Sequence, residues 1–274
     1  IFHNCKAGYV GTLDPLASGF LPIALGKSTK TIKYLSDCDK EYIFEVTWGR
    51  HSSTGDLEGE IKKIDNNYPS LEQIRNTLRN FIGDYYQVPH NFSSKKVNGK
   101  KAYEFARKKI DIDLKKEKKK ITVLKIINQV SESKTLFYIQ CGSGTYIRSL
   151  AEDMAKSLNT FAMVSSLRRV GFGNLDKKLI SLDYLLSLVH IECLLSILKP
   201  IEKVFNEFNL IDLDMNEFAL ILNGRSIKMN EFKSKINDIY GQLTLAKFKN
   251  KLVAVGYLKN GNFYPKNLLN NFFV

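Results

Sequence analysis

Apolar and polar residues alternate along residues 40–48, as they do in a β-strand with one buried face. The buried face of this strand would carry Tyr42, Phe44, Val46 and Trp48. A second strand pattern covers residues 136–141 and runs into the loop Gly142-Ser-Gly-Thr145. The first half of the chain therefore contains strands that can build one face of a core.

Two other stretches have the spacing of amphipathic helices. Ser70 and Gln73 form a capping-box pattern, which apolar residues at helical spacing follow: Leu71, Ile74, Leu78 and Phe81. A second helix should begin near Tyr146 and turn a set of apolar residues to the core: Ile147, Leu150, Ala151 and Met154. Strands and helices together predict an α+β fold, with a central mixed, mostly antiparallel sheet flanked by helices.

The pattern changes after about residue 207. A short helix is predicted over residues 215–222 and should end at Asn223-Gly224. Short strands follow at residues 243–248, 252–258 and 262–264, the last two joined by an Asn260-Gly261 turn. We therefore expect a first domain over residues 1–207 and a small, β-rich second domain over residues 208–274.

Composition is that of a globular protein with room for one sizeable core and a small second domain. The 274 residues are 44% hydrophobic, and the most apolar helical stretch, residues 184–198, is too short to span a bilayer. The four cysteines and four histidines are scattered, without the spacing of a disulfide framework or a zinc site. We expect a cytoplasmic protein that binds no metal and no membrane.

Positive charge is concentrated in one part of the chain. The formal net charge is +13, and residues 95–120, here called the basic segment, hold twelve basic and four acidic residues. Such a surplus is typical of a surface that binds nucleic acid. The alternatives are a solvated lysine-rich face and, less favoured, a membrane surface, for which the segment lacks a broad apolar face.

The string Gly-Thr-Leu-Asp-Pro-Leu-Ala-Ser-Gly at residues 11–19, here called the Asp14 loop, holds the first candidate for chemistry. Pro15 fixes its own φ and disfavours helical geometry at Asp14, so the carboxylate is held on a constrained loop. Loops of this kind often carry catalytic groups. The competing interpretation is an ordinary Asp-Pro turn.

Two tyrosines and an arginine are further candidates. Tyr42 starts the alternating strand, where tyrosine is more often a core residue than a catalytic one. Tyr146 and Arg148 follow a glycine-rich loop that allows close backbone approach and opens a helix. Arg148 is one of only eight arginines in this lysine-rich chain, and its planar guanidinium suits a carboxylate partner. The alternative is a surface arginine on the first helical turn.

Several stretches together resemble the TruB-type tRNA pseudouridine synthases, in the order in which that family carries them. The matching stretches lie within the first 205 residues or so: residues 8–23, 26–30, 40–42, 87–89, 96–107, 144–153 and 167–169. The resemblance implies a pseudouridine-synthase catalytic domain with an RNA-gripping insertion at about residues 88–120, and a PUA-like RNA-binding domain at the C-terminus. It further implies an isomerase of the stand-alone bacterial branch.

The resemblance also implies roles for individual residues. Asp14 would be the catalytic aspartate, Arg148 would pair with it, and Tyr42 would stack on the target uracil and assist removal of the C5 proton. Tyr146 would pack below the base and Leu167 against the base pocket. The remaining substrate-binding residues that it implies are Tyr9, Thr12, Leu13, Lys96, Tyr103 and Arg107.

The reaction that the resemblance implies isomerises the T-arm loop uridine, tRNA uridine-55, to pseudouridine. Nothing is oxidised and no water is consumed, so no cofactor and no metal are expected. A single carboxylate suits this chemistry better than the acid pair of glycoside hydrolysis. The uridine must be flipped out of its stack to reach the site. The expected partner is the tRNA T-arm stem-loop, without guide RNA or partner protein.

Two other functions stay open at this point. The chain could be an inactive RNA-binding or tRNA-folding chaperone, which the basic segment and the PUA-like tail would support. Joint retention of Asp14, Tyr42, Tyr146 and Arg148 speaks against it, because RNA binding needs no carboxylate near phosphates. A guide-dependent synthase is less favoured, because the basic segment resembles the insertion of the stand-alone branch.

The chain departs from the family pattern at three points. Tyr9 stands where many members have histidine, and His90 stands where a second proline usually follows Gln-x-Pro. The family's opening strand, with its Lys-Pro-x-Gly-x-Thr-Ser-like motif, would precede Ile1, so we expect the printed chain to lack it.

Overall fold

The computed structural model describes residue 2 and residues 5–188, 190–205, 208–229 and 243–269. Its contacts divide the chain into two compact units. One unit, here called the sheet unit, comprises Gly11–Leu21 and Ser36–Gly173. The other, here called the terminal unit, comprises Ile1–Val10, Pro22–Leu35 and Asn174–Val274. The division of the sequence at residue 207 stays a prediction.

Strands and helices alternate irregularly along the described part of the chain. The strands are β1 (Ala7–Tyr9), β2 (Ser18–Gly19), β3 (Ile23–Leu25), β4 (Lys40–Trp48), β5 (Arg50–Ser52), β6 (Ile61–Lys63), β7 (Gly83–Gln87), β8 (Lys96–Val97), β9 (Lys100–Lys101), β10 (Glu117–Ser131), β11 (Lys134–Cys141), β12 (Ala162–Phe172), β13 (Asn209–Asp212), β14 (Ile227–Lys228), β15 (Leu243–Phe248), β16 (Lys251–Lys259) and β17 (Asn262–Leu268). The helices are α1 (Ile32–Leu35), α2 (Leu71–Leu78), α3 (Ala102–Arg107), α4 (Ile147–Ser157), α5 (Leu182–Ser187), α6 (Ile191–Ser196), α7 (Ile201–Val204) and α8 (Met215–Leu222), with 3₁₀ turns at Gly26–Thr31 and Arg79–Phe81.

A six-stranded sheet forms the frame of the sheet unit. Its strand order is β2-β12-β4-β11-β10-β7, and every pair is antiparallel except the short parallel pair β12 and β2. β4 has the bounds expected from its alternation, and Phe44, Val46 and Trp48 are buried against the core. The expected central mixed, mostly antiparallel sheet of an α+β fold is confirmed.

Two helices cover the buried face of this sheet. Ser70 caps α2 through the expected capping box with Gln73, and Ile74 and Leu78 are buried. Helix α4 begins directly after Tyr146, and its apolar residues enter the same core as β4: Ile147, Leu150, Ala151 and Met154. The core therefore fixes the first turn of α4, which carries Arg148.

The segment between β7 and β10 leaves the sheet and then rejoins it. Strands β8 and β9 form a small hairpin, and α3 follows it directly. Glu117 opens β10 opposite Gln87 of β7, so residues 117–120 of the basic segment belong to the central sheet. The Lys119 ammonium is 2.8 Å from the Glu117 carboxylate, and Lys95 pairs with the same carboxylate.

The terminal unit is built on a five-stranded sheet of order β13-β15-β16-β17-β14. The predicted helix is α8, and Gly224 adopts a positive φ just beyond its end. Asn260 and Gly261 both have positive φ in the turn between β16 and β17, as the Asn-Gly pair predicted. β17 is longer than residues 262–264, because its pairing with β16 continues past Pro265 across a bulge opposite Val255 and Gly256.

The apolar stretch at residues 184–198 does not form one helix. Its described residues include the end of the short helix α5 and the whole of the short helix α6. Among the described residues, none of the helices has both the length and the apolar character needed to cross a membrane.

Candidate active site

The Asp14 loop contains a genuine β-turn. The Ala17 N–H donates to the Asp14 carbonyl at 2.8 Å, and Pro15 occupies the position where its fixed φ favours the turn. Gly19 has a φ of +97°, and a Cβ there would lie 2.2 Å from the Arg169 carbonyl oxygen. Only glycine fits at that point, so the loop ends directly against β12.

Arg169 of β12 holds both ends of the Asp14 loop. Its side chain is 1% exposed, and its guanidinium donates from Nε to the Phe20 carbonyl at 2.6 Å and from Nη2 to the Gly11 carbonyl at 2.9 Å. The guanidinium also lies 5.3 Å from the centre of the Phe172 ring. Sequence reasoning placed Arg169 in a family motif but gave it no role at the site.

Arg148 joins the Asp14 loop to two other loops. Its Nε donates to Asp14 Oδ2 at 2.9 Å, its Nη1 to the Thr54 carbonyl at 2.9 Å and its Nη2 to the Phe92 carbonyl at 3.0 Å. The residue is only 3% exposed, so the alternative of a surface arginine is wrong. The predicted pairing with Asp14 is present in the structure.

A second carboxylate, Asp56, lies on the other side of the guanidinium. Its Oδ2 is 3.3 Å from Arg148 Nη1, and its Oδ1 accepts hydrogen bonds from the Thr54 hydroxyl and the Glu58 N–H. Asp56 is fully buried, whereas the Asp14 side chain is 34% exposed. One guanidinium thus serves two carboxylates, of which only Asp14 is open to a ligand.

Sequence reasoning missed Asp56. The sequence feature that could have pointed to it is an acidic residue directly after Gly55, in a stretch of small polar residues that cannot contribute to a hydrophobic core. Nothing in the spacing connects residue 56 with residue 148, because the pairing depends on how the loop after β5 folds back.

Tyr42 is half-buried at the start of β4 and packs against the core. Burial raises the pKa of its hydroxyl to about 12, the Asp14 carboxylate adds to the rise, and the Arg169 guanidinium opposes it. Asp14 and Tyr42 are therefore close enough to interact electrostatically. The hydroxyl is protonated at neutral pH.

Tyr146 is held through its backbone by a buried glutamine. The Gln87 amide donates to the Tyr146 carbonyl at 2.9 Å, and its oxygen accepts the Tyr146 N–H at 2.8 Å. Burial raises the pKa of the Tyr146 hydroxyl. Leu167 is 5% exposed on β12, opposite Phe44 of β4, and belongs to the core beside Tyr42.

The other predicted substrate-binding residues belong to several different elements. Thr12 is exposed and Leu13 half-buried on the Asp14 loop, whereas Tyr9 is exposed on β1 of the terminal unit. Lys96 is exposed on the β8–β9 hairpin. In α3, Tyr103 lies between two cations: Lys101 at 5.5 Å and Arg107 at 5.2 Å from its ring centre. No hydrogen bond or ion pair within the described residues joins these side chains to Arg148 or Asp14.

Metal ligands are not grouped in the part of the chain that the structure describes: no three His, Cys, Asp or Glu side chains are arranged to hold an ion. The four cysteines are free thiols.

The fold is shared with proteins in solved structures of complexes. One is an H/ACA ribonucleoprotein bound to a substrate RNA containing 2′-deoxyuridine, with a TM-score of 0.69, and another is a Cbf5–Nop10–Gar1 complex, with a TM-score of 0.70. In both cases the identity is 20%, and the alignment covers 97% of this chain and 77% of the other. The likeness supports the α+β architecture.

Sequence comparison identifies the class of protein and then the family. Residues 1–147, which include the Asp14 loop, match the model described as TruB family pseudouridylate synthase (N terminal domain), so the class is that of the pseudouridylate synthases. The tRNA pseudouridine synthase B of Caulobacter vibrioides is 38% identical, with 96% of this chain and 87% of the relative covered. That of Bartonella tribocorum is 32% identical, with 98% and 88% covered. The chain belongs to the TruB family, as its motifs predicted.

Proposed function

We propose that this protein is a tRNA pseudouridine synthase that isomerises the T-arm loop uridine, tRNA uridine-55, and that Asp14 is its catalytic carboxylate. The observation that carries the proposal is the Asp14–Arg148 pair. A half-exposed carboxylate is held on a turn by a guanidinium that is itself fixed by two carbonyls and a second acid. Such fixed geometry is what catalysis at a bound base requires.

The reaction breaks the N1–C1′ bond of the uridine, turns the uracil and joins C5 to C1′. The proton on C5 is lost and N1 gains one, so atoms and electrons balance without a cofactor or a metal. The Asp14 carboxylate, held by the Arg148 guanidinium, would act on the base or the sugar during this rearrangement.

Other residues would bind and orient the flipped base. Tyr42 would stack on the uracil, which returns roughly 1–3 kcal/mol of the cost of flipping. Tyr146 would pack below the base on the anchored start of α4, and Leu167 would form the adjacent wall. Because Tyr42 has a pKa of about 12, its phenolate is populated at roughly 1 part in 10⁵ at pH 7, so it acts as a hydroxyl.

Tritium release tests the proposed activity. A T-arm stem-loop tritiated at C5 of its loop uridine should lose tritium to water when the protein is added. The control is the same stem-loop with cytidine in place of that uridine, which should bind without reacting. RNA binding without any release would favour the binding protein over the enzyme.

Tyr42→Phe should slow turnover while leaving base flipping in place, since the ring remains and only the hydroxyl is lost. We expect a decrease of roughly 10²-fold in the single-turnover rate, the usual scale of one proton-transfer group. The wild-type rate should show no titration of Tyr42 between pH 7 and 9, because the hydroxyl stays protonated there. Wild-type rates in the variant would limit Tyr42 to stacking.

The partner in this proposal is the T-arm stem-loop, bound without guide RNA or partner protein by the stand-alone enzyme in the cytoplasm. The basic segment, within the insertion at about residues 88–120, would grip the RNA arm, with Lys96, Tyr103 and Arg107 among the contacts. Residues 208–274 would form the PUA-like RNA-binding domain, with residues 1–207 as the catalytic domain. Thr12, Leu13 and Tyr9 would complete the substrate contacts.

Lysines of the basic segment should set the salt dependence of RNA binding. Lys118 pairs with Asp84 and Lys119 with Glu117, whereas Lys115, Lys116 and Lys120 make no ion pair among the described residues. Replacing those three by glutamine should weaken affinity and flatten the log–log salt slope by about 0.7–0.9 per lost contact.

Two exposed lysines of β6 provide the comparison for this prediction. Lys62→Gln and Lys63→Gln together should leave the slope unchanged, because β6 lies outside the basic segment. The same slope in both variants and in the wild type would show that the basic segment is only a solvated face.

A further inference from the structure

His90 lies in the loop of residues 88–92, which follows β7 and reaches Arg148 through Phe92. The residue is only 7% exposed. Nothing in the reaction proposed above uses it, and it is the position at which the sequence departs from the proline of the family pattern. A buried imidazole beside the guanidinium that holds the catalytic carboxylate needs a physical account.

The imidazole is connected to Arg148 through a single residue, Phe92. His90 Nδ1 accepts the Phe92 N–H at 3.1 Å, and the Phe92 carbonyl accepts Arg148 Nη2 at 3.0 Å. As the acceptor of this hydrogen bond, Nδ1 presents its lone pair to the Phe92 N–H. Both peptide groups of Phe92 are thus fixed, one by the imidazole and one by the guanidinium.

Packing on the other side of the ring leaves little freedom of movement. His90 Nε2 is 3.7 Å from Glu152 Oε1. A Cβ at Gly55 would lie 2.9 Å from that nitrogen, 3.1 Å from Glu152 Oε1 and 3.3 Å from Arg148 Cβ. Burial acts to raise the pKa of Glu152, but His90, Lys156 and His51 together lower it. The ring therefore occupies a closed space between α4 and the loop that carries Asp56.

We propose that His90 is a positioning residue for Arg148. Its Nδ1 sets the direction of the Phe92 carbonyl, and that carbonyl keeps the guanidinium aimed at Asp14. The effect on turnover rests on the proposed function, whereas the effect on the guanidinium does not. Of the two ring nitrogens, Nδ1 performs this role, whereas Nε2 faces Glu152 and takes no part in it.

Three substitutions separate the two nitrogens. His90→Asn keeps an acceptor near the place of Nδ1, since asparagine commonly accepts the N–H two residues on. His90→Gln keeps a polar group near Nε2 but not that acceptor, and His90→Phe keeps only the ring volume. Glu152→Gln is the control, because it changes the group that faces Nε2 and leaves the hydrogen bond at Nδ1 in place.

The rate, the RNA affinity, the rotation of the Arg148 guanidinium and the melting temperature are measured for each variant. Single-turnover rates at saturating T-arm stem-loop, with the Kd of the RNA, separate chemistry from binding. Nitrogen NMR of the Arg148 side chain reports whether rotation of its guanidinium is restricted, without any need for activity. Melting temperatures record the structural cost of each change.

The expected result is a near-wild-type rate and a restricted guanidinium for His90→Asn and Glu152→Gln. His90→Gln and His90→Phe should lose roughly 10- to 100-fold in rate, the scale of a misplaced catalytic group, and release the guanidinium while Kd changes less than about threefold. If His90 had only a structural role, the rate of each variant would follow its melting temperature. His90→Asn would then be poorly active, because asparagine is the smallest of the three replacements and leaves the largest cavity.

Rates that follow melting temperature, or a restricted Arg148 in every variant, would overturn the proposal. An inactive wild type would refute the proposed function instead, and the NMR of Arg148 would still decide the role of His90.

Discussion

Asp14→Asn should abolish pseudouridine formation while leaving RNA binding nearly intact. The asparagine oxygen can still accept the Arg148 Nε hydrogen bond of 2.9 Å, so the turn and the loop should keep their shape. What is lost is the negative charge beside the base, and we expect a fall of about 10⁴-fold or more in the single-turnover rate, the scale of losing an essential catalytic group. Tritium release from the C5-tritiated stem-loop measures it directly.

The RNA affinity of Asp14→Asn is the second quantity to measure. Removing a negative charge near RNA phosphates should leave Kd unchanged or make binding slightly tighter. Asp37→Asn is a suitable control, because Asp37 is an exposed carboxylate of the same unit that takes no part in the site. Substantial tritium release by Asp14→Asn would remove Asp14 from the centre of the reaction.

Arg148→Met should cost both stability and activity. The fully buried Asp56 would lose the cation 3.3 Å away, and breaking one side of a buried ion pair typically costs roughly 3–5 kcal/mol in the free energy of unfolding. Asp14 would lose its fixed direction at the same time, and we expect a rate decrease of roughly 10²- to 10³-fold. Denaturant unfolding and single-turnover kinetics measure the two losses separately.

A double variant distinguishes these two losses. Asp56→Asn added to Arg148→Met removes the unpaired buried charge, so part of the stability should return while activity should not. Arg148→Lys preserves the charge but cannot donate to Asp14, Thr54 and Phe92 at once, so it too should be slow. Recovery of activity in the double variant would show that Arg148 acts only through stability.

Elements with strong local patterns were predictable from the sequence. β4 has its expected bounds because alternation along residues 40–48 matches one buried face, and α2 begins where Ser70 and Gln73 cap it. The Asn260-Gly261 turn followed from residue type alone. In each case the residues that carry the sequence pattern lie within a few positions of the element that they predict.

The site was predictable only in part. Asp14 and Arg148 were found through motifs, and their contact confirms the expected pairing. Asp56 and Arg169 were not assigned roles, because each acts across a long sequence separation: Arg169 on the Gly11 and Phe20 carbonyls, and Asp56 on Arg148. A single chain carries no local pattern for such contacts, since they depend on how loops close over the sheet.

Residues 87–92 link the Arg148 site to the basic segment. Gln87 anchors the start of α4, Phe92 holds Arg148, and the chain then continues directly into the basic segment, with Tyr103 N–H donating to the Ser93 carbonyl at 3.1 Å. Under the proposed function, an RNA that moves this segment on binding would act on the Phe92 carbonyl and so on the guanidinium, and thermodynamic linkage requires the same coupling free energy in the reverse direction. RNAs would then be distinguished by how well they align the Asp14–Arg148 pair as well as by how tightly they bind.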